Sequence, residues 1–195
     1  GEMWQGGGKG YEDVVMITLG TGVGGGIIRG GKIVAGTNGA AGEIGHIPMI
    51  DDESECCGCG KKGCLEQYAS ANGLVNVAEK YIAAHRTVET ELDLNAGFTA
   101  KDVCDAAKAG DKAGLAAVEE SMRLLGKAMA SVSCVIDPQV FVVGGGLSKA
   151  GNIIIDTASK YYKEYAFHAS RETEIKLATL GNAAGMYGGV KMVIG

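Results

Sequence analysis

A chain of 195 residues is long enough to bury a core as one good-sized domain without cross-links, and its net charge of −5 comes without any lysine–arginine block. That balance argues against nucleic acid as the main partner, so an anionic nucleotide would have to be met by backbone amides and metal rather than by a basic patch. No basic-then-apolar leader opens the sequence and no apolar run approaches membrane-spanning length, which points to a soluble protein with no membrane partner.

In chain order, Gly1 to Gly10 reads as the tail of an element that began earlier. Asp13 to Leu19 is a β-branched run and predicts a buried strand. Gly20 to Gly26 predicts a turn. Ile27-Ile28 and Lys32 to Ala35 predict a hairpin joined through Arg29-Gly30-Gly31, followed by a small-residue loop over 37–45. Helical spacing of Leu74, Val77, Ala78, Tyr81 and Ile82 predicts a helix from Ala71 to His85. Thr99 caps a second, which stops at Gly110. Asp111 to Ile136 predicts a long helix with a stripe of Leu115, Val118, Met122, Leu125, Met129 and Val132, ended by Asp137-Pro138. Gln139 to Val143 predicts a second buried strand. A helix near Asn152–Glu164, a strand over Glu174–Ala178 and a final helix near Ala183–Val193 complete an α/β chain without repeats or linkers.

The six cysteines fall unevenly. Cys57, Cys59 and Cys64 follow His46 in a short glycine-rich loop, and one imidazole with three thiolates fills a tetrahedral zinc shell with no position left for water. The metal would therefore fold the loop rather than do chemistry. Cys56 competes as a ligand, but Cys57-Gly58-Cys59 gives the more compact site. Cys104 and Cys134 lie in apolar helical stretches and are expected to be buried thiols. Clustered metal-type cysteines beside single free ones suit a reducing cytosol, hence a cytoplasmic location. Glu43 and Glu66 flank the cluster and would be pinned beside it, which suggests a ligand site.

The glycine run Gly20-Thr21-Gly22-Val23-Gly24-Gly25-Gly26 lies between two strands. That placement excludes a dinucleotide fingerprint, which opens a helix, and the Lys-Ser/Thr of a Walker loop is missing. A strand–turn–strand with glycines and a Thr hydroxyl is the phosphate-cradling form of actin-like and hexokinase-like ATPases; a tight hairpin needing glycine only for geometry is the alternative. Gly144-Gly145-Gly146, after a buried strand, would let backbone approach a flat nucleoside, although a plain βα turn reads the same way.

Four segments taken together resemble the C-terminal lobe of ROK-family sugar kinases, most closely the bacterial glucokinases: Thr18 to Ile28, Ala41-Gly42-Glu43-Ile44-Gly45-His46, Cys57 to Glu66 and Leu180-Gly181-Asn182-Ala183-Ala184-Gly185. The likeness runs from end to end. It implies a ribonuclease-H-like fold of the actin/hexokinase superfamily, ATP with Mg²⁺ as co-substrate, and structural zinc on His46, Cys57, Cys59 and Cys64. It further implies that Glu43, His46 and Glu66 bind sugar hydroxyls, that Gly20, Thr21 and Gly22 face the ATP phosphates, and that Gly144, Gly145 and Gly146 face the adenosine. Family members are often dimers, so a homo-oligomer is expected.

The same resemblance implies that no catalytic residue lies in this chain. The family's base is the Asp of an Asn-Asp pair, and its first phosphate loop, Asp-x-Gly-x-Thr, lies near the N-terminus; neither is found here. Gly1 to Trp4 resembles the segment just after that pair, so residues 1–195 are expected to be one lobe, inactive alone, with the 183–195 helix packing toward the other. Glucose is the favoured acceptor; N-acetylmannosamine, allose and fructose are the other sugars weighed. A sugar-sensing repressor lobe of the same family and a zinc-held fragment with only an interaction role are the rival readings.

Overall fold

The computed structural model describes residues 1–194. Its centre is a five-stranded sheet ordered β3-β2-β1-β4-β5, built from β1 (Val14–Leu19), β2 (Val23–Arg29), β3 (Lys32–Ile33), β4 (Val140–Gly144) and β5 (Glu174–Leu177). The first three strands form an antiparallel meander, whereas β4 pairs parallel to β1 and β5 parallel to β4. Parallel pairing needs crossovers, and the helices supply them. Those in the crossovers are α2 (Glu66–Ala69), α3 (Ala71–Ala84), α4 (Ala100–Lys108) and α5 (Lys112–Ile136) before β4 and α6 (Asn152–Tyr165) before β5, while α1 (Glu2–Gln5) precedes β1 and α7 (Ala184–Ile194) follows β5.

Strand alternation divides the apolar residues between the two faces. Val15, Ile17 and Leu19 of β1 join Phe141 and Val143 of β4 in the main core, beneath Leu74, Met122, Leu125, Met129, Ile154 and Tyr162 from the helices. Val14, Val140 and Val142 form a smaller cluster on the opposite face, packed by Met3, Met16 and Ala178. Every position of β4 is buried, as a central parallel strand covered on both faces requires.

The expected caps are present. Thr99 accepts from the Asp102 amide while Asp102 bonds back to the Thr99 amide, Asp111 caps α5, and Asp137 ends α5 in a left-handed turn at φ 48. Three expectations need correction. Gly24, Gly25 and Gly26 belong to β2 rather than to a turn, because the loop that carries Gly42 packs so closely on Gly25 that a Cβ there would collide with the Gly42 carbonyl. Leu115 is 45% exposed: where α4 crosses α5 the buried positions are the small Ala113, Gly114 and Ala117, which shifts the stripe. Cys134 is exposed because Met129, Val132 and Ser133 define the inward face of the last turns. The four-residue helix α2, directly after the cysteine loop, has no periodic signal of its own and was not foreseen.

Candidate functional site

The cysteine loop folds around its own donors. Met49 N–H bonds Gly63 O at 2.7 Å, Cys57 N–H bonds Lys61 O at 2.7 Å, and Leu65 N–H bonds Ile47 O at 3.0 Å. These bonds bring His46, Cys57, Cys59 and Cys64 together with all four donor atoms within 4.8 Å of one another. His46 Nδ1 lies 3.7 Å from Cys57 Sγ, and Cys59 Sγ lies 3.6 Å from Cys64 Sγ. The edges of a tetrahedral zinc site with these ligands are about 3.5–3.8 Å, so the cluster fits that ion. Burial pushes the Cys64 thiol up to about 12 and the Cys57 thiol upward as well, whereas the Lys61 amide lowers Cys59. Holding the two buried sulfurs as thiolates thus calls for a cation between them. Cys56 is exposed and stands outside the cluster.

Glu53 ties this loop to the helices. Its side chain, 7% exposed, accepts from Tyr68 Oη of α2 at 2.5 Å and from Lys80 Nζ of α3 at 3.2 Å. The Tyr68 hydroxyl, with help from the Glu55 amide and Lys80, holds the Glu53 carboxyl down to about 2. No motif marks Glu53; among the run of loop acids in the sequence, its role depends on partners 15 and 27 residues away.

The two flanking acids differ. Glu43 is exposed, with Oε2 4.0 Å from His46 Nε2, so the imidazole turns Nδ1 to the thiols and Nε2 to Glu43. Glu66, in the first turn of α2, is held at both oxygens: Oε1 lies 3.6 Å from Cys57 Sγ, and Oε2 accepts from the Val23 amide at 3.0 Å. That second bond reaches into the glycine hairpin. A Cβ on Gly22 would overlap the Glu66 carboxylate, so glycine at this position makes room for the acid.

The hairpin turn itself is only Gly20 to Gly22, closed by Gly20 N–H to Gly22 O at 2.9 Å, and Gly20 O accepts from the first amide of α3 at 2.8 Å. Gly20, Thr21 and Gly22 line a cavity of about 350 Å³ together with Glu66 and Gly145. Gly145 has φ 93 and sits flat against the Leu19 backbone, a conformation and an approach that a side chain would block. The three glycines at the end of β4 separate: Gly144 is the buried last residue of the strand, Gly145 faces the hairpin cavity, and Gly146 lines a second cavity of about 710 Å³. That larger space is walled by Asn72, Val75 and Asn76 of α3, Phe98, and Lys101 of α4. No motif marks Asn72 and Asn76; their spacing of four on a helix face is the one local clue.

The family model for the ROK family matches residues 1–195. The chain belongs to the ROK family. A glucokinase from Halalkalibacterium halodurans is 43% identical over 192 residues, which is 97% of this chain and 58% of that protein. Among solved ROK structures, a glucokinase from Streptomyces griseus in complex with glucose and AMPPNP superposes with a TM-score of 0.86 at 35% identity, covering 98% of this chain and 63% of that one. A ROK transcriptional regulator, homologous to the E. coli MLC protein, gives a TM-score of 0.79 at 27% identity over 91% of this chain and 44% of its own. The chain therefore spans about three-fifths of the length of the ROK glucokinases it matches. The mixed sheet and its flanking helices are the actin/hexokinase-like architecture of the ROK kinases. Among the described residues, no helix is long and apolar enough to cross a membrane.

Proposed function

We propose that this chain is the C-terminal lobe of an ATP-dependent hexose kinase, with the 6-hydroxyl of glucose as the favoured acceptor. The observation that carries the reading is the convergence of the Gly20–Gly22 turn, Glu66 and Gly145 on one cavity beside the His46–cysteine cluster. In this reading Glu43, the Nε2 of His46 and Glu66 bind sugar hydroxyls, the Gly20–Gly22 turn faces the ATP phosphates with the Gly22 amide and the Thr21 hydroxyl as donors, and the Gly144–Gly146 turn leads from the hairpin cavity at Gly145 to the adenosine in the 710 Å³ space at Gly146. Convergent hydrogen bonds to hydroxyls are how a polar substrate is selected against lookalikes. His46, Cys57, Cys59 and Cys64 would hold zinc, which when bound supplies folding free energy to the loop.

Transfer to a sugar hydroxyl also needs Mg²⁺ and a nearby proton acceptor. Glu66 is a poor candidate for that acceptor, since one of its oxygens is taken by the Val23 amide and the other lies beside Cys57 Sγ. The Asp of an upstream Asn-Asp pair, in the part of the parent protein matching the uncovered two-fifths of the relatives, suits the role better. An N-terminal lobe there would also cover the apolar face of α7, and a cytoplasmic dimer with no nucleic-acid or membrane partner accompanies the proposal.

The test is a coupled assay of the complete gene product with ATP, Mg²⁺ and a panel of glucose, N-acetylmannosamine, allose and fructose. Glucose should give the highest kcat/KM. ADP formation independent of every sugar would overturn the kinase, and a different best sugar would replace glucose. A second reading, a sugar-sensing regulator, is favoured by the likeness to the ROK transcriptional regulator. It expects sugar binding and DNA retention without ATP turnover.

A further inference from the structure

Glu2 carries a charge that the proposed chemistry does not use. It is 5% exposed, although α1, which it opens, has only four residues. Its Oε2 accepts from the amides of Gly7 at 2.8 Å and Thr179 at 3.1 Å, and its Oε1 accepts from Leu180 at 2.8 Å. Three amides from the two ends of the chain thus converge on one anion, an arrangement that offsets the cost of burying it.

The segment it holds is not remote. Residues 178–180 follow β5, and Ala178 N–H donates to Val143 O at 2.8 Å, extending the pairing with β4. A Cβ on Gly144 would press against Ala178 Cβ at 2.8 Å, so this segment forms one wall of the β4 exit. The other wall is the Leu19 backbone, against which Gly145 lies. The direction in which the chain leaves β4 is fixed between these walls, and one of them is anchored by Glu2.

We propose that Glu2 is a positioning residue for the nucleotide: by pinning Thr179 and Leu180 it sets the Gly144–Gly146 turn in place opposite the Gly20–Gly22 hairpin. The inference rests on the reading of Gly144 to Gly146 as the adenosine side. Of the proposed sugar contacts, Glu43 bonds neither Glu2 nor the segment it holds, and Glu66 is tethered instead by the Val23 amide.

Glu2→Gln tests this in the complete gene product, because it is nearly isosteric yet turns an NH2 toward at least one of the three amides. Calorimetric titration should show ADP binding weakened about tenfold, while the glucose Kd stays within about twofold and zinc content is unchanged. Equal ADP affinity in variant and parent would overturn the proposal. So would a parallel loss of ADP and glucose affinity, which marks a merely structural role. A parent that binds no ADP removes the adenosine reading itself and this inference with it. Should Glu2→Gln fail to fold, hydrogen exchange on the parent decides. ADP should slow the Thr179 and Leu180 amides together with Gly145 and Gly146, and protection confined to Gly145 and Gly146 would count against it.

Discussion

Glu53 shows what a single side chain does for the cysteine loop. Its carboxyl is held at about 2 in the folded chain against an ordinary 4.5, chiefly by the Tyr68 hydroxyl. The resulting stability is present above about pH 4.5 and is lost as pH falls toward 2. With its Lys80 partner half exposed, the contribution is about 1–2 kcal/mol after solvent screening. Glu53→Gln should therefore lower Tm at pH 7 and flatten its fall between pH 4.5 and 2, read by calorimetry across that range. Cys64→Ser should release one metal per chain in elemental analysis and lower Tm by about 10 °C, since structural zinc supplies folding free energy; a variant that melts like its parent removes the metal from the folding argument. Glu66→Gln should raise the glucose KM about 10- to 100-fold and change kcat less, because a hydroxyl contact exists in ground and transition states alike. An unchanged KM would take Glu66 out of the sugar site.

At the scale of elements, the sequence was most legible where signals are local. Helices α3 to α6 carry apolar periodicity, and α4 and α5 begin at recognisable caps, so their limits fell within a residue or two of expectation. Thr99→Ala should cost about 1 kcal/mol by removing the cap of α4, measurable as a shift in urea midpoint. Only the Ile27-Ile28 end of β2 was legible; its first half was hidden because Gly24-Gly25-Gly26 is a poor strand sequence by propensity. Its glycines answer to the loop packed on Gly25 and to the Thr18 hydroxyl near Gly24, neighbours that no local window contains. The site divides similarly. The grouping of His46, Cys57, Cys59 and Cys64 was readable from spacing, whereas Glu53, Asn72 and Asn76 gain their places only from tertiary packing.

For the whole molecule, the asymmetry between the sheet's two faces is the governing fact. One face shares the main core with helices α2 to α6, while the other is covered by a small cluster around Val14, Val140 and Val142 with α1 and α7 nearby. Trp4 meets Tyr187 edge-on across α1 and α7, yet Met186, Val190, Met192 and Val193 remain exposed, Val193 at 86%. A continuous apolar helix face of this kind associates in water. The 195-residue chain should sediment as a concentration-dependent oligomer, and Met186→Lys with Val190→Lys should shift it toward monomer. Unaltered sedimentation would place the association elsewhere.

Glu66 leaves one practical lesson for redesign. Its two oxygens answer to different masters, the backbone of Val23 on one side and the sulfur of Cys57 on the other. On the proposed reading, replacing this acid also loosens the Gly20–Gly22 bend, so altered taste in carbohydrate and weakened grip on the donor should be inherited as a single trait. Variants with new selectivity and an intact donor grip will come more readily from Glu43, which has no such second tether.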